Sequence, residues 1–276
     1  MARDPHRFIN ELDEIAIGRL IDRLEKRAKD DVFMRLFDRY AESLQLPGPA
    51  SVLEIGCGTG AIARALVSRD DFKGHVLGVD QSALFIHAAQ RFAQQEGVRA
   101  RAEFHVADAH HLELPPASFD VVIAHTLISH VRDPLAVLRE MVRVVKPGGR
   151  VVLFDGDYAS LTYAYSDHAF GRLMDEALAS ASFNNPLIMR DLPRLMPEYG
   201  LEITSAWGEA VVEIGSGSYF KSFAETYAPY VSSAGLIAED AVAAWLDAQQ
   251  SFMEEGTFFA SCNYYTYIAE PADTAS

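Results

Sequence analysis

Three glycines and a series of acids at regular places set out the chemistry open to this chain. The stretch VLEIGCGTG, residues 52–60, joins the apolar Val52, Leu53 and Ile55 to Gly56, Gly58 and Gly60, and the helical run AIARALVSR follows at once. A strand, a glycine turn and a helix make a nucleotide cradle. A ligand approaches such a turn where a Cβ would collide, and the first N–H groups of the helix face its negative end. Glu54 lies inside the strand end; Asp80 closes the run HVLGVD, Asp108 follows AEFHVA, and His125 follows FDVVIA. Asp155 and Asp157 alternate with Gly156 at the end of a fifth run, RVVLFDGDY. Their shared position argues for a single site, where carboxylates accept hydrogen bonds and an imidazole, which changes charge near pH ~6.5, can move a proton.

A sheet with helices on both faces would bring these groups together. Ser82 is placed to cap a helix through Leu84, Phe85 and Ala88. Asp133 and Pro134 open another, whose buried stripe is Leu138, Met141, Val142 and Val145 and whose stop is Lys146-Pro147-Gly148-Gly149. Apolar strands alternating with amphipathic helices predict a parallel sheet covered on both faces, with ligand beyond the carboxyl ends of the strands. The acids and His125 all fall at those ends.

The flanks read differently. Phe8, Leu12 and Ile15, then Ile17, Leu20, Ile21 and Leu24, then Phe33, Leu36, Phe37 and Tyr40 recur at helical spacing, and Leu46-Pro47-Gly48-Pro49 marks a boundary. After the fifth strand, residues 159–187 are rich in Tyr, Ser and Ala; a helix runs through Leu192, Leu195 and Met196, followed by the strand LEITSAW. A helical stretch at about 217–255 precedes the last strand, FFASCNYYTYIA. The expected organisation is N-terminal helices over 1–49, a cofactor-binding core over 50–158, and the rest of the sheet with its helical insertion over 159–276. The helices outside the core form a cap over the ligand edge or, alternatively, a homodimer interface.

Composition removes several classes. Lys and Arg total 24 against 39 Asp and Glu, a formal charge of -15 that repels a phosphate backbone. No apolar run approaches the roughly 20 residues of a membrane helix, and the start MARDPHRFINELDE lacks a signal-peptide core. Cys57 and Cys262 make neither a disulfide framework nor a zinc set, which suits a reducing cytoplasm. His105, His110 and His111 cluster without a ligand set at recognisable spacing, so no metal is expected.

From VLEIGCGTG through GVDQS, VADAHHLELPPASFDVVIA and LREMVRVVKPGGRVVLF, residues 50–158 resemble the class I S-adenosylmethionine-dependent methyltransferases, in particular the small-molecule group that includes the ubiquinone and menaquinone biosynthesis enzymes. The resemblance implies a Rossmann-like, seven-stranded, mostly parallel α/β sheet whose last strand is antiparallel, and S-adenosylmethionine as cofactor. It implies that Gly56, Cys57, Gly58 and Gly60 pass under the methionine part, with Glu54 near the ammonium. Asp80 would take the ribose hydroxyls, Gln81 would pack on adenine where the family usually has an apolar residue, and Asp108 with the Ala109 backbone would meet the adenine amine.

The implied function is methyl transfer to a small-molecule acceptor on oxygen, nitrogen or carbon. His125 is the first candidate for a base and Asp157 the second, while Asp155 and Tyr158 are candidates for contacting the acceptor. The acidic pair tilts the acceptor towards an amine or polar molecule, and the many Phe and Tyr residues towards an aromatic one. Two alternatives stay open: a protein that binds the cofactor without transferring the methyl, and an NAD-dependent oxidoreductase, since Gly56, Gly58 and Ala61 also satisfy GxGxxG/A with Asp80 about 20 residues on.

Overall fold

The computed structural model describes residues 14–46 and 48–272. Phe8 and Leu12 of the first expected helix, Pro47 of the expected break and the last four residues of the tail lie outside the described residues. The described residues open with α1 (Glu14–Arg27) and α2 (Asp31–Ser43). Asp30 starts α2 by accepting from the N–H groups of Val32 and Phe33, and the helix buries Phe33, Leu36, Phe37 and Tyr40. The alternating region follows as β1 (Ser51–Ile55), α3 (Ala61–Ser68), β2 (His75–Asp80), α4 (Ala83–Gln95), β3 (Ala102–Val106), β4 (Phe119–His125), α5 (Pro134–Val144) and β5 (Val145–Tyr163). Ser82 caps α4 through the Phe85 N–H, and Asp133 caps α5 with Pro134 in the first turn. The chain ends with α6 (His168–Ser182), α7 (Ile188–Glu198), β6 (Leu201–Gly215), α8 (Tyr219–Ser233), α9 (Glu239–Glu254) and β7 (Phe258–Pro271).

The seven strands form one sheet in the order β3-β2-β1-β4-β5-β7-β6. β1 to β5 pair in parallel, and β7 runs antiparallel between β5 and β6. A dinucleotide-binding sheet has the order 3-2-1-4-5-6 without this inserted strand, so the topology separates the chain from the oxidoreductase alternative. Alternation along β1 sends Val52 into one core and Leu53 and Ile55 into the other. Glu54 therefore points to the Val52 side, towards α3.

Two departures from expectation concern the C-terminal half. β5 continues past Tyr158 to Tyr163, with a break in its pairing with β7 between Asp157 and Thr162. α6 was hidden by an Ala- and Ser-rich composition, although Asp167 caps it and it buries Met174, Leu178 and Ala181. Over the sheet edge, Ile17 and Leu20 of α1 cluster with Phe85 of α4, each such burial contributing ~1.5 to 3 kcal/mol. Arg64 of α3 pairs with Glu25 of α1 and with Glu96, tying the first helix down. No helix among the described residues is long and apolar enough to cross a membrane.

Candidate active site

One cavity of about 440 Å³ gathers residues from the carboxyl ends of β1, β2 and β4 and from α1, α2 and α8. Glu54, Gly56, Cys57, Gly58, Asp80, Gln81, Asp108 and Ala109 line it, as do His125 and Tyr158. Gly60, Asp155 and Asp157 do not.

The cradle end is built by backbone bonds. Asp80 Oδ2 accepts from the Gly58 N–H at 2.9 Å and Oδ1 from the Ser82 N–H at 2.8 Å. These two donors aim the carboxylate and partly offset the burial that raises its pKa. Gly56 and Gly58 have φ of 70° and 52°, a region that disfavours any side chain. Glu54 is 2% exposed and its Oε2 accepts from the Ala63 N–H at 3.0 Å. Burial, with Asp80 nearby, pushes its pKa up to about 8.

Gly60 departs from the expected role. A Cβ there would stand 2.3 Å from Cε1 of Phe104, and the residue, at φ 71°, is the N-cap of α3. It lets the start of α3 close on β3 and does not face the cavity.

Asp108 is held by a residue that sequence reasoning set aside. The His110 backbone N–H and ring Nδ1 both reach Asp108 Oδ1, at 2.9 and 2.6 Å. The Asp133 N–H donates to His110 Nε2 at 3.3 Å, which leaves the ring proton on Nδ1 to be donated to Asp108. Burial works to raise this carboxyl, but the bonds from His110 hold it below its ordinary value. His110 thus joins the loop after β3 to the cap of α5. No three His, Cys, Asp or Glu among the described residues come together as a metal site.

His125, 5% exposed, ends β4 with Nδ1 2.9 Å from the hydroxyl of Tyr40 on α2. Burial and the charge of Arg27 hold its pKa well below 6.5, so the ring is neutral. Arg27 Nη2 in turn donates to Thr126 Oγ1 at 2.8 Å, and Thr126 has a φ of 52°, strained for a β-branched residue. The two acids of β5 do not line this cavity and are bonded to other partners. Asp157 accepts from Arg190 Nε with both oxygens, at 3.0 and 2.9 Å. Asp155, fully buried, accepts from the N–H groups of Ser129 and Gly156.

The far end is aromatic. Tyr158 stacks on Phe183 at 3.4 Å between ring centroids, and Phe183 meets Phe223 and Tyr227 at 6.0 and 5.8 Å. Of these only Tyr158 was expected. Phe183 and Phe223 carry no spacing signal, since the elements bearing them meet only in the fold.

A family model described as a methyltransferase domain matches residues 53–153. Residues 53–153 carry a methyltransferase domain. The 27-O-demethylrifamycin SV methyltransferase of Amycolatopsis mediterranei is 37% identical over 48% of this chain and 47% of its own, so the chain spans about half the length of that relative. A 37.1 kDa protein of a Streptomyces fradiae transposon is 28% identical over 98% of this chain and 77% of its own. Among solved structures, the 4+2 cyclase SpnF covers 86% of this chain and 81% of its own at a TM-score of 0.57 and 21% identity, a likeness of fold.

S-adenosylmethionine is the cofactor of this methyltransferase family, and the residues present fit it. The buried Thr59 Oγ1 lines the cavity without a partner, inside a turn whose glycines leave room for a ligand. Glu54, Asp80 and Asp108 stand in the same cavity, matching an ammonium, a diol and an amine.

Proposed function

We propose that this methyltransferase moves the methyl group of S-adenosylmethionine to a small-molecule acceptor seated at the aromatic end of the cavity. One observation carries the reading: a single cavity joins the Glu54–Asp80–Asp108 cradle to the Tyr158–Phe183–Phe223 wall, with His125 on its lining. When bound, the cofactor supplies an activated methyl group on a sulfonium. The chain then has to hold the acceptor in line, a task that contributes ~7 to 11 kcal/mol in favourable intramolecular cases.

Glu54, Gly56, Cys57 and Gly58 hold the methionine part, Asp80 the ribose, and Gln81, Asp108 and Ala109 the adenine. If the acceptor is a hydroxyl, His125 would take its proton at Nε2, the methyl group being what the cofactor supplies when bound. That requires Nδ1–H to donate to the Tyr40 hydroxyl, a geometry that the 2.9 Å contact supports. Tyr158 contributes to the acceptor wall.

Calorimetric titration with S-adenosylhomocysteine, and NAD in parallel, tests the cofactor; a methyl-labelled donor then tests transfer. Binding of the first without the second, followed by labelled product, supports the reading. NAD binding alone sinks it, and cofactor binding with no labelled product from any acceptor returns the chain to a binding protein of the same fold.

A further inference from the structure

Arg23 of α1 is 9% exposed and lines the cavity, yet among the described residues no carboxylate pairs with it. Its guanidinium carbon lies 5.5, 5.2 and 4.8 Å from the ring centroids of Tyr219, Phe223 and Tyr227. Nη1 is buried without a hydrogen-bond partner. Aromatic faces attract a cation but offer no acceptor in the guanidinium plane, so a buried N–H of an always-charged group is left unmet.

Arg23 fills the aromatic cage that could otherwise have received a cationic acceptor. Asp155 and Asp157 make their hydrogen bonds to Ser129, Gly156 and Arg190, and Arg23 puts a positive charge among these rings. Arg27 has a partner: it bonds Thr126, and its charge acts on His125 and Glu54 at the cradle end and also on Tyr158 and Tyr219. Arg23, whose Nη1 has no partner, lies among the phenols of Tyr227, Tyr219, Tyr264 and Tyr158.

We propose that the acceptor is an oxyanion on an aromatic or apolar frame, a carboxylate or phosphate ester, whose oxygen takes the free Nη1–H of Arg23 while its frame lies against Phe183 and Phe223. This rests on the methyl-transfer reading for the word acceptor, and on Arg23 alone for the charge.

The test uses the full chain, with and without saturating S-adenosylhomocysteine, titrated calorimetrically with matched pairs: benzoate and benzamide, 2-naphthoate and 2-naphthamide, phenyl phosphate and phenol. The oxyanion of at least one pair is expected to bind about tenfold or more tightly, as for a charge-assisted bond. The carboxylate and phosphate arms tell which oxyanion is preferred. The preference should vanish in Arg23→Met and survive in part in Arg23→Lys, with S-adenosylhomocysteine affinity within about twofold of the parent, a smaller change than any lost hydrogen bond would give.

Absence of a preference in every pair of the parent protein overturns the proposal, whatever the variants do. So does a preference that persists in a folded Arg23→Met. Loss of S-adenosylhomocysteine binding in that variant with the preference intact would reassign Arg23 to the cofactor's own carboxylate. Should the parent fail to bind S-adenosylhomocysteine, the methyl-transfer reading fails, while the pairs titrated without it still decide what Arg23 binds.

Discussion

The hydroxyl of Tyr40 lies 2.9 Å from Nδ1 of His125, joining α2 to the end of β4 beside the cavity. The bond fixes the ring's orientation and, when Nδ1 donates, exposes Nε2 as the basic atom. His125→Ala is expected to lower turnover ~10² to 10⁴-fold for a hydroxyl acceptor, with S-adenosylhomocysteine affinity retained. Tyr40→Phe removes one hydrogen bond and should cost about five- to tenfold in kcat. Because burial holds His125 well below 6.5, its protonation lies below the neutral range. The rate is therefore expected not to fall on account of this residue between about pH 9 and pH 6, where an unshifted imidazole would already be half protonated near ~6.5. Unchanged turnover in His125→Ala would remove the base assignment.

Glu54 gives the cofactor site a proton to exchange. Its folded pKa of about 8 keeps it protonated at neutral pH in the free protein. An ammonium placed beside it favours the carboxylate, so the bound pKa falls and binding at pH 7 releases a proton. The sign follows: affinity for S-adenosylhomocysteine should rise with pH from the lowered bound pKa up to about 8, then level. Calorimetry at pH 7 in buffers of different ionisation enthalpy should show a release that disappears in Glu54→Gln. Identical heats in all buffers would place the ammonium elsewhere.

The sheet and the cradle were legible in the sequence because strand-end acids and glycine turns are local signals. Asp80 and Gly58 were read from a nine-residue stretch and one motif, and they meet where the Gly58 N–H donates to the Asp80 carboxylate. The acceptor end was not legible, since Arg23, Phe183 and Phe223 stand far apart in the chain and only packing brings them to one wall. Asp155 and Asp157 misled for a related reason. Position at a strand end says that a carboxylate is near the ligand edge, but their partners, Ser129 and Arg190, decide where each one faces. Gly60 shows that a motif glycine can serve packing: what it avoids is Phe104.

That distinction among the glycines can be measured. Asp80→Ala should weaken S-adenosylhomocysteine binding by ~1.5 to 3 kcal/mol, the worth of a bond to a charged group, and leave the fold in place. Gly58→Val should abolish binding, since its Cβ enters the cradle at a φ of 52° and 3.1 Å from Leu24 Cδ1. Gly60→Ala should instead lower the unfolding temperature, because a Cβ 2.3 Å from the Phe104 ring forces repacking at ~1 to 3 kcal/mol, while protein that remains folded still binds the cofactor. Calorimetry and thermal unfolding on the same samples separate the two effects. A Gly60→Ala protein with the parent's stability and no binding would return Gly60 to the cofactor site.

Asp157 offers the complementary test of a residue that lies outside the cavity. It is 1% exposed and both its oxygens receive Nε of Arg190, whose side chain is 51% exposed. Removing the arginine strands a buried carboxylate, whereas Asp157→Asn removes the charge that needed a partner. Arg190→Ala is therefore expected to destabilise by ~1 to 3 kcal/mol, at the lower end because the arginine is half in solvent and its pairing is screened. Asp157→Asn should cost less, under ~1 kcal/mol, since the amide oxygen can still accept from Arg190. Urea unfolding gives both values. Turnover in Asp157→Asn should remain within a few-fold of the parent, far from the ~10²-fold or larger loss of a missing base. A loss of that size in a stable, cofactor-binding protein would show that Asp157 leaves Arg190 and enters the chemistry when the acceptor is bound.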